Sequence, residues 1–129
     1  MRKLIYPIYI MLALCITSCH KGDSLTHSSA RRAAERYFNM LIDGKYEAYI
    51  DGMVDADSMP DDLRSQMADM LAQFCEGQKL NKGMLSVTAT ADTIADSAAY
   101  VYLDILYGDS TTEQVGMPLL FTDKRWRMQ

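Results

Sequence analysis

The stretch Ala98-Ala99-Tyr100-Val101-Tyr102-Leu103-Asp104-Ile105-Leu106-Tyr107 decides the fold. Its apolar side chains recur at every second position, from Ala99 through Val101, Leu103 and Ile105 to Tyr107. A period of two over ten residues predicts a β-strand with one face in the core. Gly108-Asp109-Ser110 follows directly and predicts a turn into a neighbouring strand.

Similar patterns flank this stretch on both sides. From Met84 onward, Leu85, Val87, Ala89 and Ala91 alternate with polar or small residues, which predicts a preceding strand. A third strand runs to Phe121, and its Gly116 and Pro118 predict a bulge or a sheet edge. Thr122-Asp123-Lys124 predicts a turn into a short last strand with Trp126 and Met128. The second half of the chain is therefore predicted to be an antiparallel meander of about four strands.

The first half has the helical period instead. Ser28 or Ser29 is predicted to cap a helix with apolar positions from Ala30 to Leu41, which ends at Gly44. A shorter helix follows from Tyr46 to Met53. Helices first and a meander second predict an α+β fold in which the helices cover one face of the sheet.

A third helix is predicted to start at the capping-box-like Ser58-Met59-Pro60-Asp61. Its apolar residues follow helical spacing, which favours packing in the core over an adaptable peptide groove formed by Met67 and Met70. They are Leu63, Met67, Met70, Leu71 and Phe74.

The N-terminus has the pattern of an export signal. Arg2 and Lys3 precede an apolar segment of about thirteen residues, too short to span a bilayer core of roughly 30 Å. Thr17-Ser18-Cys19 resembles the lipobox of bacterial lipoproteins, in which the cysteine thiol receives a diacylglycerol. The sequence predicts a signal peptide over 1–18, a lipidated Cys19 with a tether to residue 28, and one domain over 29–129. The resemblance implies attachment to the cell envelope, and His20 after the cysteine favours the outer membrane.

Composition excludes several functions. The chain has 13 basic and 17 acidic residues, a net charge of −4, and loss of Arg2 and Lys3 with the signal makes it −6. This balance argues against nucleic-acid binding, which needs a basic surface. Cys75 is the one cysteine left after Cys15 is removed and Cys19 is lipidated, so no internal disulfide or thiolate metal cluster is expected. Its place beside Leu71 and Phe74 predicts a buried, unreactive thiol.

Two segments resemble the NTF2-like superfamily, in particular its small exported lipoproteins of unassigned function. One is Ala34-x-x-Tyr37-Phe38-x-x-Leu41-x-x-Gly44-Lys45-Tyr46-x-x-Tyr49 and the other is Asp123-Lys124-Arg125-Trp126-Arg127-Met128. In the family a glycine often follows the aspartate of the second segment, where this chain has Lys124. The resemblance implies a cone, a curved sheet wrapped on helices around a cavity, and it implies no reaction.

Enzymes of this superfamily, such as ketosteroid isomerases and polyketide cyclases, place a carboxylate or a histidine-aspartate pair inside the cone. Here the two histidines, His20 and His27, fall in the predicted tether, so the domain is expected to lack a histidine base. A metal site formed by them with Asp23 is not expected, and no cofactor is predicted. Asp104 is the best candidate for a buried carboxylate base, although a solvated aspartate on the outer face is favoured. The preferred hypothesis is a non-catalytic module that binds a partner protein or a small apolar ligand.

A second set of residues suggests a contact surface. If Val101, Leu103 and Ile105 face the helices, four apolar or aromatic side chains lie on the opposite face of the sheet. They are Tyr100, Tyr102, Leu106 and Leu120. Relatives often pair through that face, so homodimerisation is predicted. Tyrosines that merely cover neighbouring strands, or that line the cavity, are the alternatives.

The anchor can be tested by the substitution Cys19→Ala, which removes the atom that would carry the lipid. We expect an unprocessed or soluble exported protein, because two or more acyl chains give stable attachment and none would remain. Metabolic labelling with palmitate measures the result. Palmitate that persists in the variant would contradict the assignment of Cys19.

Overall fold

The computed structural model describes residues 24–129. Three α-helices come first: α1 (His27–Ile42), α2 (Tyr46–Asp51) and α3 (Asp61–Gly77), with short 3₁₀ helices at Ala56–Ser58 and Gln78–Asn81. Four strands follow: β1 (Met84–Ala95), β2 (Ala98–Tyr107), β3 (Thr112–Thr122) and β4 (Arg125–Met128). They form one antiparallel sheet in the order β1-β2-β3-β4. The predicted α+β class, with helices followed by a four-stranded meander, is confirmed.

Helix α1 begins earlier than predicted. Thr26, not Ser28 or Ser29, is the N-cap, and its hydroxyl accepts a hydrogen bond from the Ser29 amide at 3.1 Å. The Ser29 hydroxyl in turn accepts one from the Thr26 amide at 3.3 Å, which completes a capping box. His27 and Ser28, predicted in the tether, are therefore helical. The helix ends at Ile42, and Gly44 then takes a left-handed φ of 75°.

The core lies between α1 and the inner face of the sheet. Ala30, Ala33 and Ala34 are fully buried, and such small side chains let the helix backbone approach the strands closely. The sheet contributes side chains with no exposed surface, each worth about 1.5–3 kcal/mol of burial. They are Val101, Leu103, Ile105, Leu119 and Trp126. The predicted inward face of β2 is confirmed.

The chain's one tryptophan joins the last strand to the first helix. Its indole N–H donates to the Ser29 hydroxyl at 2.9 Å, and the Tyr37 hydroxyl donates to the Trp126 carbonyl at 2.5 Å. The indole N–H and the carbonyl of this buried residue are thus hydrogen-bonded, which offsets the cost of burying them. Strand β4 is held by side chains as well as by its pairing with β3.

Strand β4 also holds the segment after α2. The Met128 amide donates to the Gly52 carbonyl at 2.8 Å, and the Val54 amide donates to the Met128 carbonyl at 2.9 Å. Gly52 lies against the Tyr37 ring, and a Cβ there would be 2.3 Å from its Cε1 atom. Only glycine fits this close approach.

Strand β1 departs from the predicted alternation at two bulges, between Met84 and Ser86 and between Ala89 and Ala91. Leu85 is consequently 60% exposed, and Ala91 is also on the surface. Beyond the second bulge, Asp92 pairs with Val101. A bulge adds one residue and so reverses which side chains face the core.

Strand β3 has no bulge, contrary to the prediction from Gly116 and Pro118, and its register with β2 is regular. The predicted edge is present in part, because β4 pairs only with Leu119–Thr122. Gly116 makes room for Tyr100, whose hydroxyl would lie 2.1 Å from an added Cβ. After β3, Asp123 and Lys124 both take left-handed φ values, 53° and 64°, as in a two-residue type I′ hairpin.

Helix α3 differs most from its prediction. Pro60 precedes it with no side-chain cap, so the predicted capping box is absent. None of its residues is fully buried, and Leu63, Met70 and Phe74 are 45%, 67% and 46% exposed. The helix packs on the core through Leu71 and Cys75. Its apolar face is broader than this contact, so part of that face stays in solvent. The prediction that this row of apolar residues packs in the core is therefore wrong for Leu63, Met70 and Phe74.

Candidate functional site

An open cleft of about 500 Å³ lies where the chain after α2, the start of α3 and the end of β4 meet. Four methionines contribute to its walls, and methionine is flexible and polarizable enough to adapt to ligands of different shape. The full lining is Met53, Val54, Asp55, Ser58, Met59, Pro60, Leu63, Met67, Met128 and Gln129.

The walls are placed by backbone contacts already described. Met53 forms an isolated parallel bridge with Met128, which fixes the segment after α2 against β4. Val54 follows at once, and its amide bond to Met128 closes that corner of the cleft. Met59 and Pro60 link the 3₁₀ helix to α3, so they form the opposite wall.

A second cavity of about 180 Å³ shares Met53, Met128 and Gln129 with the cleft. It reaches Phe38 and Leu103, which belong to the core between α1 and the sheet. This second cavity thus lies next to the cleft and reaches the apolar interior, where the cavity of a cone would lie.

The polar groups of the cleft are few. Asp55 is its one ionisable side chain, and Ser58 and Gln129 supply a hydroxyl and an amide. A mainly apolar lining with a few polar groups is typical of sites for small apolar ligands.

The structure places Asp104 on the outer face of the sheet. It accepts a hydrogen bond from the Gln114 side-chain amide at 3.4 Å and lines neither the cleft nor the second cavity. The structure does not bring Asp104 to the methionines of the cleft.

The four predicted contact residues also lie on the outer face, not in the cavity. Tyr100, Tyr102 and Leu106 are 41%, 36% and 39% exposed, and Leu120 is half-buried. The two tyrosine rings form an edge-to-face pair with centroids 5.2 Å apart.

A histidine-aspartate pair exists that the sequence analysis missed. The Nδ1 atom of His27 contacts one carboxylate oxygen of Asp92, and the Arg31 Nε atom donates to the other. Burial of the carboxylate raises the pKa of Asp92, but the contacts with His27 and Arg31 outweigh it and hold that pKa below its usual range. The expectation that the domain lacks a histidine is therefore wrong for His27. One feature of the sequence could have indicated this pair. Asp92 lies two residues before Ile94, so the two side chains are expected on the same face of the strand.

Cys75 is half-buried at the junction of α3 and α1. Its thiol donates to the Leu41 carbonyl at 3.5 Å, beside Tyr46. Burial raises the pKa of the Cys75 thiol above its ordinary value, which keeps the sulfur protonated at neutral pH.

Some sequence predictions concern residues outside 24–129, among them the signal segment and the lipidation of Cys19. Within the described range, no helix is long and apolar enough to cross a bilayer. In the same residues, no three His, Cys, Asp or Glu side chains lie together as a metal site would require.

Helices on one side of a curved four-stranded sheet, with a cavity that reaches the core between them, define a cone-like α+β fold. The fold is NTF2-like. It is similar to a crystal structure of a Campylobacter jejuni protein that has been provisionally named an NTF2-like transpeptidase, with a TM-score of 0.63 and 14% identity. The match covers 74% of this chain and 92% of that one, and identity this low carries the fold alone. No protein-family profile matches the chain, and no curated protein matches it.

The Asp92 cluster predicts a pH-dependent contribution to stability. Asp92→Asn should lower the free energy of unfolding by about 2 kcal/mol at pH 7, since it weakens hydrogen bonds between charged groups. A folded-state pKa below the unfolded value means that this contribution is complete above about pH 4 and is lost as pH falls through the folded pKa. Urea unfolding followed by the fluorescence of Trp126 measures it.

Asp96→Asn is the matched control, because Asp96 is exposed in the β1–β2 turn with a φ of 55°, a conformation that asparagine tolerates. Equal destabilisation by the two substitutions, or a loss for Asp92→Asn that is the same at pH 7 and pH 2, would contradict the role of the cluster.

Proposed function

We propose that this protein is a lipid-anchored lipoprotein of the bacterial envelope whose NTF2-like domain binds a small apolar ligand without transforming it. The observation that carries the proposal is the methionine-walled cleft. Its volume of about 500 Å³ lies within the range of roughly 300–1,000 Å³ typical of small-molecule sites. Met59 and Met67 are half-buried on its walls, so they can move to accommodate a ligand at little cost.

The anchor would keep the cleft close to a membrane. The helix cap at Thr26 leaves six residues, 20–25, between the lipidated Cys19 and the cap. The seven Cα–Cα steps from Cys19 to Thr26 reach at most about 25 Å when fully extended. An apolar ligand exchanged with that membrane would have a short path to the domain. The outer membrane remains the proposed location.

The competing proposal is an NTF2-like enzyme of the isomerase, cyclase or hydrolase type, with a buried carboxylate such as Asp104 as its base. The position of Asp104 on the outer face beside Gln114, half-buried and away from the cleft and the second cavity, does not favour it. The name of the Campylobacter protein describes that protein, and at this identity its activity is not carried over.

We further propose that two copies pair through the outer face of the sheet, with Tyr100, Tyr102, Leu106 and Leu120 in the contact. The exposure of the first three supports this, because together they form an apolar patch on an otherwise Thr-rich surface. An envelope protein partner is the other occupant that such a face could take.

Ligand binding is tested with the substitution Met59→Glu. We expect binding of the neutral apolar probe N-phenyl-1-naphthylamine to weaken about tenfold, because a charge in an apolar site must be desolvated when the ligand binds. Probe fluorescence measures the affinity. Leu80→Glu introduces the same charge on a residue that is 91% exposed and outside the cleft, so it should bind normally. Equal affinities for the two variants would refute the site.

Pairing is tested with Tyr102→Glu, which places a carboxylate in the centre of the outer face. We expect the sedimentation mass at micromolar concentration to fall from a dimer to a monomer, because like charges would face each other across the interface. Leu85→Glu, at an exposed bulge of β1, is the control and should remain dimeric. An unchanged mass for Tyr102→Glu rules this interface out.

A further inference from the structure

Helix α3 carries a row of large apolar side chains that other described residues cover only in part. The row consists of Leu63, Met67, Met70 and Phe74, at spacings of four, three and four residues, and we call it the α3 stripe. Met67 is half-buried, and the other three are 45–67% exposed. Contiguous apolar side chains on one helix face are typical of a surface that binds another helix.

The charge around the α3 stripe is strongly one-sided. Residues 46–79 contain eight carboxylates and two basic side chains, Arg64 and Lys79, and Lys79 is paired with Glu76 at 2.9 Å. Arg64 is already paired with Glu47 at 3.1 Å and with Asp51 at 2.6 Å. On α3 itself, Asp62 and Asp69 are exposed on the polar side of the helix. The stripe is therefore bordered on one side by the negative charge of Asp62 and Asp69.

This negative charge favours some binding partners of the α3 stripe and disfavours others. A second copy would bring an identical acidic border against the first, and like charges in contact oppose association. An anionic lipid surface would be repelled for the same reason. A helix with an apolar face and a basic polar face would satisfy both the stripe and its border.

We propose that the α3 stripe is the docking site for a basic amphipathic helix of a partner protein. The apolar face of that helix packs on Met70 and Phe74, and its lysines or arginines lie near Asp62 and Asp69. Apolar contact supplies most of the affinity, and the charges increase the association rate and reject acidic partners. The stripe ends at Leu63 and Met67, where it meets the methionine-walled cleft.

The proposal does not rest on ligand binding in that cleft. Met70 and Phe74 are absent from the cleft lining, so substitutions there leave the cleft intact. Failure of one proposal can thus be told from failure of the other.

The experiment uses the full chain in phosphatidylcholine nanodiscs and a synthetic fluorescent peptide of about 18 residues, with leucines at helical spacing and lysines elsewhere. Fluorescence polarisation measures binding, with empty nanodiscs as background. A peptide with glutamates in place of the lysines tests charge, and a scrambled lysine peptide with no apolar face tests the stripe. We expect only the amphipathic lysine peptide to bind, with an affinity that falls as salt is raised.

The decisive variant is the double substitution Met70→Asp and Phe74→Asp, which should weaken binding at least about tenfold. Leu80→Asp is the matched control and should bind as the unchanged chain does. Phe74→Leu keeps an apolar side chain and should bind within about threefold of the unchanged chain. The buried Trp126 reports on folding of each variant by its fluorescence.

Three results would overturn the proposal. One is binding of the lysine peptide that the double substitution does not weaken, and another is binding of the scrambled peptide with equal affinity. The third is loss, in the double variant alone, of self-association in sedimentation or of binding to anionic vesicles, which would assign the stripe to a second copy or to lipid.

Discussion

The position of the last strand depends on the burial of Trp126 with its indole N–H and its carbonyl hydrogen-bonded to α1. Ser29 and Tyr37, at the first and third turns of α1, bind its indole and its carbonyl across 97 and 89 residues of sequence. Four residues of β4 pair with β3, too few to fix a strand on their own. The two contacts to α1 supply the rest of the attachment. The cleft follows from them, because β4 in turn holds Met53 and Val54 through Met128.

The second constraint is the bulge between Ala89 and Ala91. It turns Asp92 toward the start of α1, where His27 and Arg31 meet the carboxylate. Just before the bulge, the Ala89 amide donates a hydrogen bond to the Glu35 carboxylate at 2.8 Å. Two carboxylates thus connect the sheet to α1. Asp92 of the strand accepts hydrogen bonds from side chains of the helix, and Glu35 of the helix accepts one from the backbone of the strand. The helix is fastened to the sheet at both its first and its third turn.

The sequence was sufficient to predict the fold class, the order of the helices and strands, and the inward face of β2, because strict alternation from Ala99 to Tyr107 leaves one solution. It could not locate the bulges of β1, since Ser, Thr and Ala are accepted on either face of a strand. The position of Asp92 and the role of His27 depended on that shift. The exposure of Met70 and Phe74 was equally hidden, because helical spacing shows which side chains share a face and not whether another element covers it. The cleft joins segments far apart in sequence, which periodicity cannot bring together.

Strand β1 forms one edge of the sheet, and its two bulges affect whether another strand could pair with that edge. A straight edge of twelve residues rich in Thr and Ala would offer a row of unpaired amides to any extended chain nearby. Here two bulges interrupt that row, and the Glu35 carboxylate already occupies the amide of Ala89. An incoming strand would meet an interrupted register, and its carbonyl would have to displace the half-buried Glu35 carboxylate from the Ala89 amide. The two bulges and this hydrogen bond make the edge a poor template for edge-to-edge pairing with another strand.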